Sequence, residues 1–374
     1  MPDAIVHKLQ NEVIHPLKAR FVGRDEVIDL IALAVVAGEH LFLYGPPGTA
    51  KSALIREVAR AVEGRYFEYM LTRFSEPNEI FGPIDIARLR EGTVVTVTTG
   101  MLPEAEFVFL DELFNANSAI LNNLLTVLNE RIYRRGAETH RLPILSLFSA
   151  SNHLPEDDAL RALFDRFLLR CHVDSLRRDA MPQLLAAGWA LEQAKPLRSS
   201  LSAGELSRLA TQIGQADFSE VLDRYIEMVF KLRDLGIALS DRRAIKIMKL
   251  LAASALLCGR TKVAVSDFWV LRYVWDRDEQ IDPLTALVNG VLDRLGEEGA
   301  RHPLAHVPPH QSAEEVARRL EAVEKEIDGG KLALSAIARL KEQLADLSDQ
   351  AAWLDEAARG HLTGRLRICL ERLE

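Results

Sequence analysis

Cysteine is scarce: three in 374 residues, Cys171, Cys258 and Cys369, far apart and with no CxxC pair. That spacing excludes a disulfide framework and a cysteine-built zinc site, and it suits a reducing compartment in which all three are small buried hydrophobes. Basic excess is missing too. A formal net charge of −8 argues against non-specific attraction to nucleic acid or an anionic membrane, leaving room only for a local basic patch. Long apolar runs are absent: the segment 28–37 is too short and too interrupted to span a bilayer. The opening stretch, MPDAIVHKLQNEV, carries acids and no apolar core, so no signal peptide is expected and the expected location is cytoplasmic. What is present, 48% hydrophobic and 27% charged residues over a length that allows two or three domains, suits a soluble globular chain.

Against that plain background lies HLFLYGPPGTAKS, residues 40–52. An apolar run, Leu41 to Tyr44, breaks into Gly45, Pro46, Pro47, Gly48, Thr49, Ala50, Lys51 and Ser52, and helix-forming residues follow from Ala53. Strand, Gly/Pro loop, Lys-Ser and helix are the layout of a phosphate-binding P-loop. The chemistry dictates the residue types. Backbone N–H groups of the loop and helix start point at phosphate oxygens, the lysine adds a mobile charge for the β- and γ-phosphates, and the adjacent hydroxyl can hold Mg²⁺. Ala50 stands where the general pattern has glycine, and its methyl group is tolerable if Ala50 lies in helical geometry. Upstream, Phe21, Val22, Gly23 and Arg24 form a loop ahead of a helix over 27–37. From there Val22 and Gly23 can wall an adenine, although a plain helix start reads the same way.

Downstream, FVFLDE at 107–112 is an apolar run ending in two acids, the pattern of a central parallel strand whose carboxyl end faces a ligand. Asp111 can hold Mg²⁺ directly or through water, and Glu112 can polarise an attacking water. A second buried strand, 144–150, ends in Ser151, Asn152 and His153. Asn152 can orient water against the γ-phosphate, and alone it fits an Asx turn equally. Two alternating stretches, 84–99 around Glu91-Gly92 and 131–142 around Arg135-Gly136, read as inserted β-hairpins. After a helix over 156–164 comes Asp165-Arg166. An arginine there can reach a neighbouring subunit's nucleotide, or simply pair with Asp165.

Taken together, GPPGTAKS, VFLDE, SASNH and LFDRF resemble the motifs of an AAA+ ATPase. The two hairpins resemble those of the helix-2-insert clade, and FLDELFNAN…LLTVLNER is similar to the MoxR family, in particular its RavA-like branch. The resemblance covers about residues 20–280 and implies roles residue by residue. Lys51 and Ser52 would be the Walker A pair, Asp111 and Glu112 the Walker B pair, Asn152 sensor 1, and Arg166 an arginine finger acting in trans. It also implies ATP and Mg²⁺ as cofactors, a hexameric ring and a client protein remodelled, matured or activated in a chaperone-like way. A partner carrying a von Willebrand A domain belongs to the same expectation.

The expected organisation is an α/β P-loop core with a parallel sheet and inserted hairpins over 1–178, an all-α lid over 179–282, and a C-terminal helical extension over 283–374. In the lid, Ser202 and Glu205 form a capping box, and Ser240-Asp241-Arg242-Arg243 opens a helix to Leu257. By resemblance Arg242 is sensor 2, touching the γ-phosphate, with Arg243 as the alternative and a solvated pair as the plain reading. A last lid helix is expected over 265–275. The histidines of HPLAHVPPH, 302–310, fit no standard ligand spacing and read as a linker. Beyond them a capping box at Ser312 and Glu315 opens apolar stripes of helical period (Val316, Leu320, Val323, Ile327; Ile337, Leu340, Leu344, Leu347; Leu362, Leu366, Cys369, Leu373). These predict a helical hairpin or three-helix bundle, for packing or for docking a partner. The competing function is an AAA+ motor or loader on nucleic acid, suggested by Arg131, Arg134, Arg135 and Arg141 in the second hairpin and opposed by the negative net charge.

Overall fold

The computed structural model describes residues 2–135, 138–155, 157–176 and 180–293, then 302, 304, 317, 320, 321, 323–325, 327, 340, 341, 344, 347 and 356–372. Its strands are β1 (Leu41–Tyr44), β2 (Tyr66–Met70), β3 (Phe107–Asp111), β4 (Ile132–Arg135), β5 (Glu138–Arg141), β6 (Ser146–Ser151) and β7 (Leu169–His172). Five of them make one parallel sheet in the order β2-β3-β6-β1-β7. The apolar runs demand this: Leu41, Phe42, Leu43, Val108, Phe109 and Leu110 are fully buried, which requires cover on both faces. Helices Asp25–Ala37, Lys51–Ala61 and Ser118–Glu130 contribute that cover through their own buried residues.

Strand order has a consequence for function. It inserts β6 between β1 and β3, with Tyr44 opposite Ser151 and Leu110 opposite Ser149. Three carboxyl strand ends therefore meet, and the residues that follow each of them share one rim.

β4 and β5 pair antiparallel as the second expected hairpin, its turn at 136 and 137 lying outside the described residues. The first differs. Residues 84–99 close through an antiparallel bridge between Ile84 and Thr96, with Asp85 N donating to Val95 O at 2.8 Å and Val97 N to Pro83 O at 2.9 Å. The first leg is not a strand but a short helix, Ile86–Arg90. Asp85 accounts for it: its side chain accepts from Ala87 N and Arg88 N, a helix N-cap that outcompetes the alternating pattern. Ile86, Leu89, Val94 and Val97 are left exposed on this insert.

The helical half comprises Met181–Gln193, Ala203–Thr211, Leu222–Asp234, Asp241–Leu257 and Ile281–Leu292. Ser202 and Glu205 form the expected capping box. Val265–Tyr273 is a run of tight 3₁₀ turns rather than an α-helix, and all nine of its residues are buried. Asp267 organises it, accepting from Ser254 Oγ at 2.7 Å, Arg260 Nη2 at 2.8 Å and Ala264 N at 2.8 Å. Leu284, Val288 and Leu292 are buried against this half, which therefore runs past residue 282; the compact unit as a whole spans 1–305. Among the described residues no helix is long and apolar enough to cross a membrane.

At the amino-terminal edge of the sheet, Glu39 is 2% exposed and accepts from Lys246 Nζ at 2.8 Å and Lys249 Nζ at 3.0 Å. Burial pushes its carboxyl up, but the two lysines outweigh that and hold it below the ordinary 4.5. A depressed carboxyl stabilises fully above its ordinary value and loses that contribution as pH falls through the lowered one. Glu39→Gln should therefore cost about 2 kcal/mol at neutral pH, and the gap to the parent should close in acid; urea midpoints at several pH values test this.

Residues 306–374 form a second unit. Leu320, Val323, Leu340, Leu344, Leu347, Leu362, Leu366 and Cys369 bury one another, as the helical periods predict, and Arg365 binds Glu324 through two nitrogens at 2.6 and 3.0 Å. The capping box at 312 and 315 and most of the histidine connector lie outside the described residues. His302, which is described, stacks on Trp269 with centroids 5.2 Å apart.

Candidate active site

The loop 45–50 turns sharply out of β1. Gly45 has φ +148°, and a Cβ there would lie 2.2 Å from Val173 O, so only glycine lets the loop pass the end of β7. Gly45 N donates to Ser151 O at 3.1 Å and Val173 N to Tyr44 O at 2.7 Å, which ties the loop to both flanking strands. Ala50 departs from expectation. It caps Lys51–Ala61 in left-handed geometry, φ 63° and ψ 21°, where a methyl group is strained rather than tolerated. Ala50→Gly should therefore stabilise the protein by about 1 kcal/mol, read as a higher urea midpoint with hydrolysis retained.

Lys51 Nζ folds back on the loop, donating to Gly45 O at 3.0 Å, Pro46 O at 2.7 Å and Thr49 Oγ1 at 3.3 Å. Burial lowers its pKa, while Asp111 and Glu112 oppose that from across the site. A partly buried ammonium held only by neutral oxygens, with carboxylates nearby, fits an incoming polyphosphate. Ser52 and Ala53 are half-buried in the first helical turn. Val22 is half-buried, and Gly23 has φ +65° with Leu176 so close that a Cβ would lie 2.4 Å from its Cδ2. Arg24, which sequence reasoning passed over, fastens this loop to the site. Its Nε donates to Thr49 O at 3.1 Å and its Nη2 to Asp174 O at 2.9 Å. Its place directly after Val22-Gly23 was the available signal.

Asp111 ends β3, and its Oδ1 accepts from Glu112 N at 3.0 Å. Glu112 is itself left-handed, φ 52° and ψ 47°, a strained backbone at the carboxylate proposed for catalysis. Asn152 follows β6 on the same rim. His153 Nδ1 lies 2.8 Å from Asn152 Oδ1, and with the proton on Nδ1 it donates there, which leaves the amide nitrogen of Asn152 as a donor. The structure thus brings Lys51, Asp111, Glu112 and Asn152 to neighbouring strand ends. The hard oxygens of Ser52 and Asp111 fit Mg²⁺, which takes one or two protein ligands and fills its shell with phosphate and water. Among the described residues no group of three or more His, Cys, Asp or Glu side chains converges on a metal-sized site.

Arg166 and Arg242 lie elsewhere. Arg166 precedes β7, so its turn is at the amino-terminal edge, across the sheet from its own P-loop; it pairs with Asp165 Oδ2 at 3.3 Å. Arg242 is also at that edge, its Nη2 3.4 Å from Asn129 Oδ1. Neither is brought to the Lys51 of its own chain. Arg243 is 3% exposed and bound to Asp276, the carboxylate that Arg170 of β7 also binds, and not turned toward the P-loop.

Comparisons with known proteins place the chain among its relatives. The family pattern described as the MoxR domain in MoxR-vWA-beta-propeller ternary systems matches residues 7–211, and that of an AAA lid domain matches 220–288. Two uncharacterized proteins of Methanocaldococcus jannaschii are similar. One is 36% identical over 297 residues, 79% of this chain and 77% of its own length; the other is 38% identical over 267 residues, 71% and 70%. Chaperone MoxR1 of Mycobacterium tuberculosis is 27% identical over 289 residues, 71% of this chain and 73% of that protein. The crystal structure of a candidate ATPase from Cytophaga hutchinsonii superposes with a TM-score of 0.64 over 79% of this chain and 96% of that one; at 18% identity the likeness is one of fold.

Proposed function

The chain belongs to the MoxR family of AAA+ ATPases, and on that footing we propose that it hydrolyses ATP with Mg²⁺ at sites completed by a neighbouring copy in a hexameric ring, using the cycle to remodel, mature or activate a client protein. The observation that carries this reading is the convergence of Lys51, Asp111, Glu112 and Asn152 on one rim while Arg166 is held at the opposite edge.

The loop 45–50 and Lys51 bind the phosphates, with Val22, Gly23 and Ala53 beside them toward the base. Mg²⁺, held by Ser52 and Asp111, would neutralise charge on the β- and γ-phosphate oxygens. Glu112 takes the proton of the attacking water, and the amide of Asn152 orients that water. Arg166 is placed to stabilise transition-state charge in the next subunit. Arg242, on the same edge, serves the neighbour's nucleotide in this reading rather than its own. A client surface is supported by the insert, where Ile86 is 67% exposed, and by Phe74 in the loop after β2, 85% exposed. The matched family's description supports a partner with a von Willebrand A domain. Cysteines held as thiols at 171, 258 and 369 suit the cytoplasm. The matched families do not favour action on nucleic acid.

Hydrolysis measured with Mg²⁺ and again after chelation, across a concentration series sized by light scattering, tests the proposal. Expected is turnover that vanishes on chelation and rises more steeply than linearly as rings assemble. Full activity in a monomer, or without Mg²⁺, overturns it.

A further inference from the structure

Residues 275–278 contact both the strand end that enters the P-loop and the helix end that leads to Arg166. At one end the Trp275 ring lies 6.4 Å from that of Tyr44, the residue that enters the P-loop, and Asp278 reaches the Tyr44 hydroxyl. At the other end Trp275 lies 6.4 Å from Phe164, which leads into Asp165 and Arg166. Asp276, between these contacts, is the carboxylate of two buried guanidiniums. Arg243 Nη1 donates to its Oδ1 at 2.6 Å and Arg170 Nη1 donates to the same oxygen, while Ala238 N donates to its Oδ2 at 2.6 Å.

Arg170 converts this contact into a grip on the arginine turn. It is 1% exposed, and it donates from Nη2 to Phe164 O and from Nε to Phe167 O, each at 3.1 Å, the two carbonyls that bracket Asp165 and Arg166. A second path runs through Asp165. Its Oδ2 accepts from Arg166 Nη1 at 3.3 Å, and its Oδ1 lies 3.8 Å from Arg243 Nη1. Three guanidiniums (Arg166, Arg170, Arg243) thus share two carboxylates (Asp165, Asp276). The Nε atoms of Arg166 and Arg243 are buried without a hydrogen-bond partner. The cluster is short of one negative charge, and Arg166, with its side chain 27% exposed, is the member able to reach an anion outside it.

We propose that Asp276 is a positioning residue for Arg166: through Arg170 and Arg243 it fixes the turn 164–167, and the strap 275–278 links that turn to the entry of the subunit's own P-loop. The arginine offered to a neighbour then depends on the state of the site behind it. This inference rests on the trans role of Arg166 given above. The physical reason is that a dense charge-assisted network has few arrangements. Removing one carboxylate leaves two buried cations facing each other, so the turn must shift.

Full-length Asp276→Asn should bind a fluorescent ATP analogue and assemble like the parent, while kcat falls about 10–100-fold with KM little changed. Mixing it with Glu112→Gln separates positioning from damage to its own site. Glu112→Gln subunits are silent but carry an undisturbed Arg166, so mixed rings should hydrolyse more than the sum of the two parts. The same mixture with Arg166→Ala tests the trans role alone. Recovery with Arg166→Ala but not with Asp276→Asn overturns this inference and leaves that role standing; recovery with neither removes both. Parental kcat in Asp276→Asn also overturns it. If Asp276→Asn fails to assemble, the partly exposed Asp165→Asn takes its place: recovery on mixing supports the network, and parental activity or no recovery refutes it.

Discussion

Glu112→Gln should bind ATP as tightly as the parent and turn it over about 10²–10⁴ times more slowly. The amide keeps the shape of the side chain and cannot take a proton from water. Lys51, Ser52 and the loop 45–50 are untouched by the change, so the binding half of the site should survive. Glu112 takes its left-handed backbone, φ 52°, where the chain leaves β3, and glutamine inherits that backbone geometry. Single-turnover hydrolysis beside equilibrium binding of a fluorescent ATP analogue separates the two halves. A variant with full turnover would take Glu112 out of the mechanism, and one that loses binding would make it a structural residue.

Arg166→Ala should lose about 10³-fold or more in hydrolysis while keeping nucleotide binding and assembly. The geometry supports a role in trans, since its turn lies at the amino-terminal edge of the sheet and Lys51 at the carboxyl edge. Truncation should not unfold the chain, because the hydrogen bonds that hold the turn come from Arg170 to the carbonyls of Phe164 and Phe167. Mixing Arg166→Ala with Glu112→Gln gives the decisive readout. Arg166→Ala keeps its own Glu112 and Glu112→Gln keeps its own Arg166, so mixed rings should hydrolyse ATP faster than either variant alone. No gain on mixing, with both variants assembling, would mean that Arg166 does not act across subunits, and the ring mechanism would have to be abandoned.

Much of this site was legible from local pattern. Gly45 to Ser52 and the FLDE run carry their chemistry in consecutive residues, and their order along the chain matches a strand order that sets β6 between β1 and β3. The first insert was misread on one leg. Alternation is a weak signal beside a single N-cap, and Asp85 turned 86–90 into a helix that sequence periodicity alone did not weigh. Ala50 shows a similar limit: the departure from glycine was visible, but its left-handed φ depends on how the loop closes against Val173 and Ser151.

The lid arginines mark where local reading ends. Arg242 and Arg243 are adjacent at one helix start, and chain order cannot separate an exposed residue from one 3% exposed. That difference arises from Asp276, 33 residues later, and from Arg170 on β7. Covalent neighbours and apolar periods decide which strands, loops and phosphate ligands form, because those depend on contacts a few residues apart. Which edge of the sheet an arginine occupies, and which carboxylate it shares, depends on the docking of two distant halves of the chain. Charges pair by distance in space, and only the folded protein sets that distance.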